Sequence, residues 1–453
     1  MSGRTVVVGA GLSGLAAALA SVRRGEETVL LEASDRPGGV VRSERRDGYL
    51  LELGPNTVRP TPEIVALVRE LGLEAEAVYA DARLPRYVDF GGELHAVPMS
   101  PGALLATRLL SPGAKLRLLA EPLIRARRYE AATEDSDESV REFVARRLGP
   151  QVAERLVEPF VGGVFAGSAE RLSVAAAFPS LVEWERSHGG LLAGALAARR
   201  ARKASAPLPR GLLSFREGME ALPRALAARL GETLRLKWTV DSLAPRNDGG
   251  GRWTLSAAGG TLEADRVLLT LPADRAGALV AGFAPEAARA LAAIPYPPLA
   301  LLHLAWGDHA LRRPLSGFGQ LVAPSPARRI LGAVWSSSLF SGRAPAGRTL
   351  LTVFLGGTRD PEAAALPDAA LVAAAVRDLE AEGLVQGPPE IVRITRWERA
   401  IPQYEHGHAR RIAILEEAER RWPGLRFGGN YRGGISVGDV VKRGLTAGSG
   451  ASP

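Results

Sequence analysis

The chain has 453 residues, 46% of them apolar, 23% charged and 6% aromatic, a balance that supports a packed core and excludes disordered and fibrous folds. It contains no cysteine, so disulfides, thiolate nucleophiles, Cys-ligated zinc and iron–sulfur clusters are excluded, and redox chemistry would need a non-covalent organic cofactor or a Cys-free metal site. The net charge is +8 and only four of the 57 cations are lysines; this reads first as a solvated basic surface, then as contact with an anionic membrane or substrate, and last as nucleic-acid binding, because no Lys/Arg run is interleaved with stacking aromatics.

Thr5-Val6-Val7-Val8 reads as a buried strand running into Gly9-Ala10-Gly11-Leu12-Ser13-Gly14, after which Leu12, Leu15, Ala16 and Leu19 keep helical spacing. In such a strand–turn–helix, Gly9 permits the turn, Gly11 lets the backbone approach a pyrophosphate and Gly14 lets the helix pack on the strand. A second strand, Thr28–Leu31, ends at Glu32, where an acid accepts hydrogen bonds from a ribose diol and repels a 2′-phosphate, which disfavours NADP. NAD or FAD remains. The strand-like start at Thr5 and the lack of any apolar stretch near 18 residues predict no leader and no spanning helix, hence a cytoplasmic protein or one lying peripherally on the cytosolic face of a membrane. The six histidines offer no His-x-x-x-His, so no metal site is expected.

The next segment, Arg36-Pro37-Gly38-Gly39-Val40-Val41-Arg42-Ser43, puts a cation and two unhindered glycines beside the same phosphates. It resembles the large flavoprotein family of amine oxidases, phytoene desaturases and protoporphyrinogen oxidases, although Val40 stands where amine oxidases commonly carry Arg. No second Gly-x-Gly-x-x-Gly follows a strand, so electrons are expected to come from a bound organic substrate. Tyr49–Glu52 reads as a strand ending in the rigid turn Gly54-Pro55-Asn56. From about Ala103 to Arg147 the composition shifts to Leu, Ala and Arg at helical spacing, broken at Pro112 and Pro122, with an acidic stretch at Glu134–Glu138. Within it, Leu104, Leu105, Leu109, Leu110, Leu116, Leu118, Leu119, Leu123 and Ile124 alternate with Arg108, Lys115, Arg117, Arg125, Arg127 and Arg128. That pattern suits either a helix pair dipping into a membrane surface or helices packed internally under a basic face.

Leu234, Leu236, Trp238 and Val240 then alternate, a polar turn falls at Asn247–Gly251, and Trp253–Leu255 and Ala264–Leu271 read as strands returning to the cofactor domain. Further strands are expected around Ala300–Trp306, Ile330–Ser336 and Leu350–Gly356, with a helix from Pro367 to Glu382. Arg426–Asp439 reads as a buried strand, a glycine turn and a helix start, followed by only 14 residues, so the last helix should be short or frayed.

Four internal segments together resemble the protoporphyrinogen oxidase family: Gly162–Gly167 with Leu172-Ser173-Val174 and Phe178-Pro179; Gly317–Val322; Thr352–Gly357; and Trp397 with Ile401-Pro402-Gln403-Tyr404 and Gly407-His408. Ser168 departs from the acid or amide usual after that Phe-Ala-Gly turn. The resemblance spans nearly the whole chain and implies an α/β and α+β fold: a Rossmann-type FAD-binding domain (1–80, 205–272, 389–453), a mixed-sheet substrate domain (81–101, 273–388) and an inserted helical domain (102–204), whose contact with a membrane surface stays open. It implies non-covalent FAD held by Gly9, Gly11, Leu12, Ser13, Gly14, Glu32, Ala33, Arg36, Gly38, Gly39, Val40, Gly54, Pro55, Asn56, Val240, Trp397, Gly429, Asn430, Gly434, Ile435 and Val437.

For the reaction, the resemblance implies six-electron oxidation of a porphyrinogen in haem or porphyrin biosynthesis, with hydride passing to flavin N5 and dioxygen as acceptor giving hydrogen peroxide. Arg86 would pair with a substrate propionate. Leu321, Val334 and Phe354 would form apolar walls, Gly163, Phe165 and Ala166 would lie against the macrocycle, and Asn56 would face the flavin and the reacting bridge as the candidate catalytic residue. A coproporphyrinogen oxidase of the same fold, another flavin amine or carotenoid oxidoreductase, and a non-catalytic flavin scaffold at a membrane stay open, as does a homodimer.

Overall fold

Because both faces of a parallel sheet are covered, its strands are apolar throughout, and Arg4–Val8 is such a strand: Val6, Val7 and Val8 are all buried. In the computed structural model, which describes residues 3–127, 137–204, 207–246, 253–257 and 259–450, it is the centre of a five-stranded parallel sheet. The order is Leu425–Phe427, Arg266–Leu269, Arg4–Val8, Glu27–Glu32, Leu234–Leu236. Of the expected returning strands, Leu234–Leu236 and Arg266–Leu269 join this sheet, whereas Trp253–Ala257 lies in a separate meander. Helix Leu12–Arg23 covers one face together with the last helix, Val437–Gly448. That last helix has 12 residues and is docked, not frayed. Its Gly444 and Gly448 let its backbone approach helix Leu12–Arg23 so closely that a Cβ at either would collide with the carbonyls of Ser13 and Ala17. The other face of the sheet carries an antiparallel meander, Val240–Pro245, Trp253–Ala257 and Gly260–Ala264. The turn at Asn247–Gly251 lies outside the described residues.

A seven-stranded mixed sheet forms the second unit, in the order Glu390–Trp397, Leu299–Gly307, Arg348–Gly356, Ile330–Val334, Gly319–Val322, Arg86–Phe90, Glu93–Ala96. Only Arg86–Phe90 and Gly319–Val322 run parallel. Glu390–Trp397, expected with the cofactor domain from residue 389, is the edge strand here, paired with Leu299–Gly307. Helix Asp368–Ala381 packs against the back of this sheet.

The inserted region is helical as expected. Pro112 does not break a helix but opens one, at the first turn of Pro112–Leu119, where its missing N–H is not needed and Ser111 caps. Pro122 lies in a short 3₁₀ turn, Glu121–Leu123. Arg128 and Glu134 lie outside the described residues. Glu138, at the end of that acidic stretch, is buried and ion-paired with Arg146 at 2.8 Å.

Candidate active site

The opening turn sets the cofactor end. Gly9 has φ +99°, and a Cβ at Gly14 would collide with the Gly9 carbonyl oxygen, so helix and strand meet at a distance only glycine allows. Leu12 and Ser13 are buried under the turn. Helix Leu12–Arg23 starts at Gly11 with no side chain capping its first N–H groups and no acid in its first turn, and space beyond Gly11 is open. Such an end attracts an anion.

Glu32, half-buried at the end of its strand, accepts from Ala10 N–H at 2.7 Å through Oε2 and from the main chain and hydroxyl of Ser34 through Oε1, at 2.9 and 2.7 Å. The carboxylate is thereby held against the glycine turn, with Ala33 exposed beside it. The Arg36–Val40 loop folds over the same turn: Gly38 N–H donates to Ala10 O at 2.8 Å, and a Cβ at Gly39 would lie 3.3 Å from Gly11 Cα. The Arg36 guanidinium donates to Gly39 O at 2.6 Å and Pro37 O at 3.1 Å and so lies over its own loop. Val40 and Gly39 are exposed. Val240, half-buried, begins the meander two residues after Trp238, whose N–H donates to Glu32 O at 2.8 Å.

A line of contacts leads from this loop toward the second sheet. A Cβ at Gly54 would collide with Val40 O, the indole N–H of Trp397 donates to Leu53 O at 2.9 Å, and Asn56 Nδ2 reaches Gly54 O at 3.4 Å across Pro55. Trp397 in turn packs in one apolar cluster with Ala166, Leu299, Leu301, Leu331, Phe354, Ala400 and Ile401. Of this cluster the sequence singles out Ala166 and Phe354 as substrate contacts and Trp397 as a flavin contact, and does not single out Leu299, Leu301 or Leu331. Period-two alternation could have found Leu299 and Leu301, since Ala300 and Leu302 face the opposite cluster.

Helix Glu158–Phe165 closes the wall. It ends at Ala166 in the left-handed region, φ +51°, a conformation that costs an alanine about 1 kcal/mol or more. The conformation is held from both sides: Thr358 N–H donates to Ala166 O at 2.7 Å, and Gln403 Nε2 donates to Phe165 O at 2.8 Å. The Phe165 side chain points away from the wall into the helical core, edge-on to Phe178 at 5.5 Å. Gly163 meets Leu321: a Cβ there would collide with the leucine methyl, whereas Gly162 faces open space. Val334 lies in a separate small cluster with Phe318, Leu84 and Phe340.

Arg86 stands over the Phe318 ring at 5.4 Å, half-buried, its Nη1 3.9 Å from Met99 sulfur. Among the described residues no carboxylate lies within ion-pair distance of it. Burial, and then the like charge of the exposed Arg59, hold its pKa below the usual guanidinium range. A half-buried cation in that state favours an incoming carboxylate.

The closing glycine turn completes the cofactor end. Gly429 and Gly434 have φ +126° and +122°. Gly428 lies against Thr270 and Ser13, Asn430 and Ile435 are half-buried, and Val437 begins the last helix, capped by Ser436. An uncapped helix end, an open cradle at Gly11, a carboxylate fixed beside it and an adjoining apolar wall fit an adenine–flavin dinucleotide.

The sequence matches the family described as flavin containing amine oxidoreductase over residues 12–448. Among curated proteins it is 34% identical to the chloroplastic protoporphyrinogen oxidase of Nicotiana tabacum, covering 96% of this chain and 83% of that one. It is likewise 34% identical to protoporphyrinogen oxidase of Bos taurus, covering 98% of each. A crystal structure from Exiguobacterium sp. 255-15, assigned provisionally to the same activity, superposes with TM-score 0.79 at 26% identity over 99% of this chain and 98% of that one. Reduced UDP-galactopyranose mutase shares the fold alone, with TM-score 0.72 at 16% identity over 99% of this chain and 95% of that one. The chain belongs to the flavin-containing amine oxidoreductase family and, within it, groups with the protoporphyrinogen oxidases.

Proposed function

We propose that the protein oxidises protoporphyrinogen IX to protoporphyrin IX as an FAD-dependent oxidase of haem biosynthesis, with dioxygen as acceptor and hydrogen peroxide as co-product. Bound FAD supplies the two-electron acceptor used three times per macrocycle. The residues proposed to hold it are those of the Gly9–Gly14, Glu32–Ala33, Arg36–Val40, Gly54–Asn56 and Gly429–Val437 segments, with Val240 and Trp397. One observation carries the reading of the substrate side: a half-buried arginine with no carboxylate partner among the described residues, Arg86, stands on the same sheet as an apolar wall that reaches the cofactor turn. A tetrapyrrole precursor is a broad apolar ring with propionates at one edge, which that arrangement matches.

The bridge carbon to be oxidised is flanked by electron-rich pyrroles that stabilise the positive charge left as hydride departs, so the chain needs no strong base. Its residues instead orient the ring and exclude water, and positioning of this kind is worth about 7–11 kcal/mol. Asn56 is the proposed neutral contact beside the reacting bridge. Small residues at Gly162, Gly163 and Ala166, with Leu321 and Phe354, would shape the slot, and Phe165 would contribute through its main chain. No helix among the described residues is long and apolar enough to cross a membrane. Exposed Leu105, Leu116, Leu119 and Leu123 support a peripheral contact with a lipid surface. The deciding assay uses purified yellow protein with dioxygen: protoporphyrinogen should become a fluorescent porphyrin with peroxide released, at a higher kcat/KM than coproporphyrinogen. Turnover of an amine instead, or no porphyrin formed, defeats the proposal.

A further inference from the structure

We infer that Tyr404, which is not among the residues proposed to touch FAD or the ring, is a positioning residue for the cofactor: its hydroxyl closes the glycine turn that precedes the last helix, while its ring meets Phe165 at the end of helix Glu158–Phe165 and its carbonyl accepts from Ser173. Tyr404 is 1% exposed. Its Oη donates to Asn430 O at 2.6 Å and accepts from Gly434 N–H at 3.0 Å, one bond on each side of the turn. Between and around those points Gly429, Gly433 and Gly434 all have positive φ, so the turn has little intrinsic preference and needs an external brace. A phenol can supply both bonds through one atom. Burial first of all raises its pKa, so the donor persists at any working pH.

The rest of the surroundings brace the brace. His408 stacks under the Tyr404 ring with centroids 4.2 Å apart and planes 11° apart, and its Nε2–H donates to Tyr431 O at 2.9 Å, a third tie to the same turn. Burial lowers the imidazole to about 4, so it remains neutral. On the other side the Tyr404 ring meets Phe165 edge-on at 6.5 Å, and Tyr404 O accepts from Ser173 N–H at 2.8 Å. The preceding residue, Gln403, donates to Phe165 O and, through its main-chain N–H, to Pro295 O at 2.9 Å. Two consecutive residues thus hold the cofactor turn and the left-handed end of helix Glu158–Phe165 in one register.

The inference rests on assigning Gly429–Val437 to the cofactor, and the test separates the two. Tyr404→Phe keeps the ring, the stack and the edge contact and removes both hydrogen bonds. Release of FAD from diluted holoenzyme, read as recovering free-flavin fluorescence, should be about tenfold faster, with a shifted flavin absorption band. His408→Ala, which removes only the tie to Tyr431 O and the stacked ring, should speed release about threefold and carries the test should Tyr404→Phe fail to fold. Wild-type release and absorption in both variants overturn the proposal. Gly434→Ala distorts the turn itself: if it too retains FAD like wild type, the assignment of the turn fails and the inference with it, whereas rapid loss there beside an unaffected Tyr404→Phe removes Tyr404 alone.

Discussion

At the scale of single residues, what decides a role is whether a charge or a Cβ has somewhere else to go. Arg86 has no carboxylate among the described residues, and burial and Arg59 both work against its charge. Replacing it with Ala should therefore weaken substrate binding by about 1.5–3 kcal/mol, the range for a charged hydrogen bond, visible as a raised KM at constant FAD content; an unaltered KM would remove Arg86 from the site. The glycine turn and Glu32 are legible in sequence because each depends on a short local spacing, whereas Arg86 is singled out only by the family resemblance. Phe165 is not legible: an aromatic beside two glycines looks alike whether it faces a ligand or a core, and only packing against Phe178 and Tyr404 in the helical core sends it inward. Arg36 shows a related limit, since the motif does not reveal that its guanidinium meets Gly39 O, Pro37 O and, at 3.9 Å, Glu220. Tyr404 and Gln403 appear in sequence only inside a motif, because their partners lie 26 to 30 and 238 residues away.

Elements show the same division between local and distant causes. Strand and helix positions follow from period-two and helical spacing, and the segment 101–123 is helical as its leucines suggest, but spacing does not say which leucines stay outside. Leu109 and Leu110 are buried in the helical core, whereas Leu105, Leu116, Leu119 and Leu123 are 60–85% exposed. Lys115 and Arg117 are occupied by main-chain carbonyls, leaving Arg108 and Arg125 exposed. The set proposed to face lipid is accordingly the exposed one: on that proposal, changing those four leucines to Ser should abolish co-flotation with anionic liposomes while the fold is retained, and equal flotation would refute the surface. On the back of the seven-stranded sheet, Glu382 caps helix Asp368–Ala381, with Gln320 donating to it at 2.7 Å and Trp335 donating to Gln320 at 2.5 Å. Burial, then the nearby Asp89, pushes its carboxyl up to about 8. The folded state thus holds a proton that the unfolded chain releases near pH 4.5, so the stabilisation is complete below that value and is lost as pH rises through about 8. Urea midpoints should fall between pH 5 and 8.5 in the wild type by more than in Glu382→Gln; parallel profiles would show that Glu382 is already ionised.

The whole molecule depends on two sheets staying in register, because the proposed site has its cofactor turn on one unit and its apolar wall on the other. No local pattern announces the joint. Glu52, at the end of strand Tyr49–Glu52, and Arg343, almost 300 residues later, are 5% and 3% exposed and pair at 2.8 Å. Glu52 also accepts from Ser43 Oγ at 2.6 Å and Met219 N–H at 3.0 Å, and its main-chain oxygen accepts from His303 Nε2–H at 3.1 Å on the second sheet. Arg343 reaches Ser214 Oγ at 2.6 Å, and its own carbonyl accepts from Leu50 N–H at 3.1 Å. Burial is the largest influence on both partners, raising the carboxyl and lowering the guanidinium, so each charge persists because of the other. Since the next residues after Glu52 form the turn that Trp397 holds, a shift here moves the cofactor end against the wall. Arg343→Ala strands a buried carboxylate and should cost about 3–5 kcal/mol of stability, while the double change Glu52→Gln with Arg343→Met, which removes both charges at similar volume, should recover most of it. Chemical denaturation of the three proteins decides: if the double variant is as unstable as the single one, the joint owes its strength to packing around the pair and not to the pairing of its charges.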